Sequence, residues 1–145
     1  MLLGIDPILN GELLHILCDM GHGDQLALVD KNYPAHSSGR PVVHLGDVSI
    51  ARAAAAILGV MPLDTFVDRP LERMEADGDP TATLDGHAAL LGVARGLGYP
   101  DIEFGTIARP EFYRRTRGVS VIVHTLDPRP YSCFILQKGV IHHEG

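Results

Sequence analysis

His22 stands between two glycines in the run Gly21-His22-Gly23-Asp24 and is the side chain of this sequence best suited to moving protons. The glycines let the chain turn tightly and leave the ring unshielded by its neighbours. An imidazole gives and takes protons near neutral pH. A plainer role is also open to it: ending a helix, where a cation favours the C-terminal dipole. Asp30 closes the apolar run Leu26 to Val29. A carboxylate at a strand end of an α/β sheet lies where ligands bind and can accept bonds from sugar hydroxyls, though a cap or turn residue would look the same. Arg109 follows the apolar stretch ending at Ala108 and is read as a donor to a sugar oxygen or as a surface ion pair. Tyr113 and Tyr131 each join an apolar face to a hydroxyl, which suits carbohydrate recognition as well as core packing.

Other chemistries are poorly provided for. There are eight histidines, but no HExxH and no paired CxxC, and the adjacent His142 and His143 would point different ways on a strand. Neither GxGxxG nor a Walker A loop occurs, so no metal and no organic cofactor is expected. A net charge of -6 with no basic stripe argues against nucleic acid as a partner. Arg114, Arg115 and Arg117 form the one local basic cluster, read as a solvated helix face. Cys18 and Cys133 lie in apolar stretches and read as buried reduced thiols of a cytosolic protein. The N-terminus does not read as a signal peptide, and no apolar run is long enough for a bilayer, so no membrane is expected. The expected substrate is a soluble small molecule.

The elements that must position these groups are short. At 145 residues and 46% hydrophobic content, the chain suits one domain, 1–145. Asn10 caps a first helix that ends near Met20, and Gln25 to Asp30 reads as a strand buried on both faces. Lys31 to Gly46 reads as a long loop. Asp47 is expected to cap a second helix ended by Gly59, and Leu63 to Val67 to form a short strand. Glu75 to Pro80 reads as surface loop and Leu84 to Leu97 as a third helix. Strand character returns over Ile102 to Ala108, and Pro110 opens a short helix at its first position. Val119 to Leu126 and Ser132 to Gln137 read as strands around an Asp127–Pro130 turn, hairpin-like at the C-terminus. Helices alternating with short apolar strands indicate an α/β layered domain.

Several blocks, in one order, carry a resemblance: Glu12-Leu13-Leu14, Met20-Gly21-His22-Gly23-Asp24, Asp30, Pro34-Ala35, Pro62-Leu63-Asp64-Thr65, Arg109, Phe112-Tyr113-Arg114-Arg115, Thr125, Tyr131 and Lys138-Gly139-Val140. The sequence resembles the family of fucose mutarotases and ribose pyranases over nearly its whole length, and Pro62 to Thr65 looks like the fucose branch. The resemblance implies a three-layer α/β/α domain with a central mixed sheet. It implies His22 as the proton-transferring catalyst, and the chemistry of ring opening admits Tyr113 as a second group. It implies sugar contacts from Asp30, Asp64, Arg109, Tyr113, Tyr131 and Cys133, and use of no cofactor. It also implies a homo-oligomer, commonly a decamer, with sites near subunit boundaries. Two departures from the pattern are both expected beside the pocket: Cys133 where relatives usually carry Asn, and Leu126-Asp127 where they usually carry Gly-Glu. The implied activity is anomer interconversion of L-fucose or a related monosaccharide. A ribose-type pyranase and a non-catalytic sugar-binding protein linked to uptake are the alternatives.

Overall fold

Local signals account for most of the helices in the computed structural model, which describes residues 1–143. Helix α1 (Gly11–Asp19) starts where the Asn10 side chain accepts from the Leu13 N–H, and it buries Leu13 and Leu17. Helix α2 (Ile50–Leu58) is capped by Ser49, whose hydroxyl accepts from Arg52 N–H, rather than by Asp47. Its alanines Ala53, Ala54 and Ala56 let it lie close on the sheet. Helix α3 (Asp85–Gly96) has no side chain from Leu84 to cap it. Helix α4 (Arg109–Arg115) begins at Arg109, so Pro110 takes the second position, where its missing N–H is equally harmless.

Among the described residues, six strands form one sheet in the order β2-β5-β1-β6-β3-β4. They are β1 (Gln25–Val29), β2 (Val42–Gly46), β3 (Leu71–Met74), β4 (Gly105–Ile107), β5 (Val121–Thr125) and β6 (Phe134–Gln137). β6 is antiparallel to β1 and β3, while the β1/β5, β2/β5 and β3/β4 pairs are parallel. All strands except β6 therefore point the same way. One face, through Leu26, Leu28, Val121 and Leu136, packs under α1, α2 and α3. The other, through Ala27, Val29, Ile122 and Ile135, packs against Phe112 of α4. This is the three-layer α/β/α domain with a mixed sheet that the resemblance implied.

Five further expectations are corrected. The 31–46 segment is not all loop: a 3-10 turn, Ala35–Ser38, and strand β2 lie within it. Leu63–Val67 is no strand; Leu63 makes a single bridge to Lys138, and the strand is Leu71–Met74. The last two strands are not a hairpin, because β1 lies between β5 and β6. Cys18 is exposed and only Cys133 is buried, since α1 turns Leu17 rather than its neighbour to the core. Within the basic cluster, Arg115 is half-buried and paired with Glu72 rather than solvated.

Candidate active site: two constellations at opposite ends of one strand

The His22 loop is clamped from below by the C-terminal block. Gly23, in the left-handed region at φ 89°, donates to the Lys138 carbonyl at 2.8 Å, and Lys138 N–H returns a bond to Asp24. The Gly21 N–H donates to the Asp24 carboxylate. The Lys138 ammonium meets the carbonyls of Leu17 and Met20, closing the end of α1 just before the loop. Beside it the 62–64 segment crosses residues 137–139 so closely that a Cβ on Gly139 would stand 2.4 Å from the Leu63 carbonyl oxygen. That crossing sets Asp64 under His22.

His22 Nε2 lies 3.1 Å from Asp64 Oδ2. A carboxylate only accepts, so Nε2 carries a proton, and in the neutral form of the ring Nδ1 is the nitrogen left with a lone pair. The imidazole is 47% exposed and leans on Phe66, whereas Asp64 is 2% exposed. Both Asp64 oxygens are engaged: Gln137 Nε2 donates to Oδ2 and Phe66 N–H to Oδ1. Burial works to raise the Asp64 carboxyl, but these donors and His22 together hold it below the usual carboxylate value. Gln137 in turn accepts from Gln25, fixing its amide orientation.

A second constellation surrounds Asp30. A hollow of about 320 Å³ is lined by Asp30, Arg109, Tyr113, Tyr131 and Cys133, with Met74 beneath. Asp30 is 6% exposed and accepts from Asn32 N–H, Ser132 N–H and the Cys133 thiol. Burial outweighs these bonds and raises its carboxyl; it pushes the Cys133 thiol up as well. Burial also lifts Tyr33, beneath Tyr113, to about 12. Tyr131 sits at φ 54°, a left-handed backbone that costs a bulky residue about 1–3 kcal/mol. Its hydroxyl donates to Asp77 at 2.6 Å, which raises its own pKa.

The two constellations are separate within one chain. In the β1/β6 register Gln25 pairs with Gln137 at one end and Leu28 with Phe134 at the other. His22, Asp64 and Gln137 belong to the first end; Asp30, Arg109, Tyr113, Tyr131 and Cys133 belong to the second. At a strand rise of about 3.3 Å per residue, Gln25 and Asp30 alone are about 17 Å apart. Five of the seven expected residues thus meet around one hollow, and Asp64 instead supports His22. Asp127 turns away from the hollow, its carboxylate accepting from Ile50 N–H at the start of α2; Leu126 is exposed. Gln137, Asp77 and His87 went unseen in the sequence, because nothing local marks a partner more than forty residues distant. Among the described residues, no group of three or more His, Cys, Asp or Glu side chains is placed to hold a metal. His36, His44 and His124 form an exposed row joined nitrogen to nitrogen at 3.2 and 3.3 Å.

Comparison with known proteins decides the lineage. The model of the RbsD / FucU transport protein family matches residues 3–141. The chain belongs to the RbsD/FucU family. Within it, the L-fucose mutarotase of Glaesserella parasuis serovar 5 (strain SH0165) is 35% identical over 143 residues, 97% of this chain and 96% of that one. The structure of FucU from Bifidobacterium longum superposes with a TM-score of 0.87 at 36% identity, covering 96% of this chain and 99% of the other. That of the Streptococcus pneumoniae fucose mutarotase in complex with L-fucose gives 0.83 at 32% identity, covering 97% and 100%. Among the described residues no helix is long and apolar enough to cross a membrane.

Proposed function

We propose that this RbsD/FucU member is a sugar mutarotase that interconverts the anomers of L-fucose or a close relative, a soluble sugar met in the cytoplasm. The observation that carries the reading is the half-exposed His22 imidazole, held in one tautomer by buried Asp64, in a chain 35% identical to an L-fucose mutarotase. His22 Nδ1 takes the proton of the anomeric hydroxyl as the bond from C1 to the ring oxygen breaks, and the imidazolium so formed hands that proton to the ring oxygen. The open aldehyde rotates about C1–C2, and the reverse steps close the other anomer. Asp64 stabilises the imidazolium formed in between. Asp30 accepts from sugar hydroxyls, Arg109 and Tyr113 donate to sugar oxygens, and the Tyr131 ring offers an apolar face to the sugar, with Cys133 setting the floor beside Asp30. No charge as concentrated as that of phosphoryl transfer develops, so side-chain acid–base catalysis of about 10²–10⁴-fold serves without a metal.

Because the His22 and Asp30 ends lie too far apart for one sugar, we assign each working site to two copies of the chain. The His22–Asp64 half of one faces the Asp30–Arg109–Tyr131 half of its neighbour. Such a head-to-tail contact joins unlike surfaces and closes into a ring when the rotation between neighbours permits, in keeping with the decamer that the resemblance implies. Phe66, which leans on His22, and Ile141, three residues beyond Lys138, are both about two-thirds exposed and supply apolar surface for it. NMR saturation transfer between anomer resonances tests the reading. L-Fucose exchange is expected to be accelerated more than that of D-ribose, and His22→Ala to lower it about 10²-fold or more with the fold intact. Equal or faster ribose exchange, or wild-type rates in His22→Ala, would refute it.

A further inference from the structure

We propose that His87 is a positioning residue for the sugar hollow. Its neutral imidazole, wholly buried in α3, holds the carbonyl of Tyr131 and so the left-handed turn that carries Tyr131, Ser132 and Cys133 past Asp30. His87 Nε2 lies 3.0 Å from the Tyr131 carbonyl oxygen, and Nδ1 lies 3.1 Å from the Leu84 N–H. A carbonyl can only accept and an N–H can only donate. The ring must therefore be a proton donor at Nε2 and an acceptor at Nδ1, which is one neutral tautomer and no other. Burial pushes the imidazole below its ordinary value, and the positive charge of Arg73 on β3 acts in the same direction.

The surroundings leave the ring little freedom. It meets the edge of Phe134 at 5.9 Å and 87°, and Phe104 at 6.4 Å and 68°. Leu84 offers α3 no side-chain cap, so His87 Nδ1 satisfies the Leu84 N–H at the start of the helix. The helix also presses on the turn directly: a Cβ on Gly86 would stand 2.3 Å from Ser132 Oγ. Tyr131 is thus gripped at two points, its carbonyl by His87 and its hydroxyl by Asp77. Between them the strained backbone is over-determined, as a left-handed non-glycine residue requires. Ser132 N–H and the Cys133 thiol then reach Asp30. A ring that touches no sugar in this way sets the geometry of one wall of the hollow.

The proposal rests on the reading that this hollow receives the sugar, and the test separates the two. Sugar affinity and anomer exchange of L-fucose are measured for wild type, His87→Phe and His87→Gln, alongside ¹⁵N chemical shifts of the His87 ring and the Tyr131 amide shift. His87→Phe fills the volume but neither donates nor accepts. It is expected to raise KM about tenfold, the scale of one well-aligned buried hydrogen bond, with kcat changed less than about threefold. His87→Gln restores the donor to Tyr131 and is expected to recover most of that affinity. In wild type the ring ¹⁵N shifts should report the Nε2–H tautomer at neutral pH. An imidazolium or an Nδ1–H ring overturns the proposal without any variant, as does an unchanged KM in folded His87→Phe or a failure of His87→Gln to recover affinity. If wild type accelerates no sugar's exchange, the functional reading falls alone. The proposal is then decided by whether the Tyr131 amide shift moves in His87→Phe and returns in His87→Gln.

Discussion

If each working site draws on two copies, two defective chains should repair each other. His22→Ala removes the proton carrier at one end of β1, and Asp30→Asn removes the charge at the other while keeping the side-chain shape. The separation of about 17 Å along the strand means that neither change touches the other half. Alone, the first should lose about 10²-fold in exchange rate. The second, at sugar well below saturation, should lose about 10–100-fold, the worth of hydrogen bonds to a charged group. Mixed in equal amounts, unfolded together and refolded, the chains assemble at random. A contact then joins an intact His22 end to an intact Asp30 end in about one quarter of cases. The mixture should recover to about one quarter of wild-type exchange by NMR saturation transfer, with mixed assembly verified by native mass spectrometry of mass-tagged chains. Recovery no greater than the mean of the two mutants, in verified mixed oligomers, would refute a shared site. So would a fully active monomer in light scattering.

Two further outcomes follow from the His22 end. Asp64→Asn replaces an obligatory acceptor with an amide that can donate to His22 Nε2, freeing the wrong tautomer. Anomer exchange should fall by more than about tenfold with little change in sugar affinity; a loss of affinity alone would instead place Asp64 on the sugar. Gly139→Ala puts a methyl group into the Leu63 and Asp64 backbone. It should lower stability by about 1–3 kcal/mol in urea titration and impair exchange by displacing Asp64; an unchanged midpoint would show that the crossing can open at little cost.

Much of the scaffold was legible because its causes are local. Asn10 and its following leucines produce α1, the unbroken apolar run at 26–29 produces β1, and glycines mark the turn that exposes His22. The chemical types at the site were legible for the same reason, since a glycine-flanked imidazole and a carboxylate closing an apolar strand are features of a few adjacent residues. β3 was not, because Glu72 and Arg73 break its apolar pattern; they are tolerated only through Arg115 and the carbonyls of Met74 and Pro80. β2 was hidden inside a polar segment, its outward His44 stabilised by rings from two other segments. Tertiary structure alone decided that Asp64 serves His22 across 42 residues, that His87 grips Tyr131 across 44, and that His22 and Asp30 stand at opposite ends of one strand. Those facts depend on strand order and register, which are set by pairing between distant segments. Short-range pattern carries no information about which distant segment a strand will find, so the candidate residues could be picked from the chain while their separation to opposite ends of one strand could not.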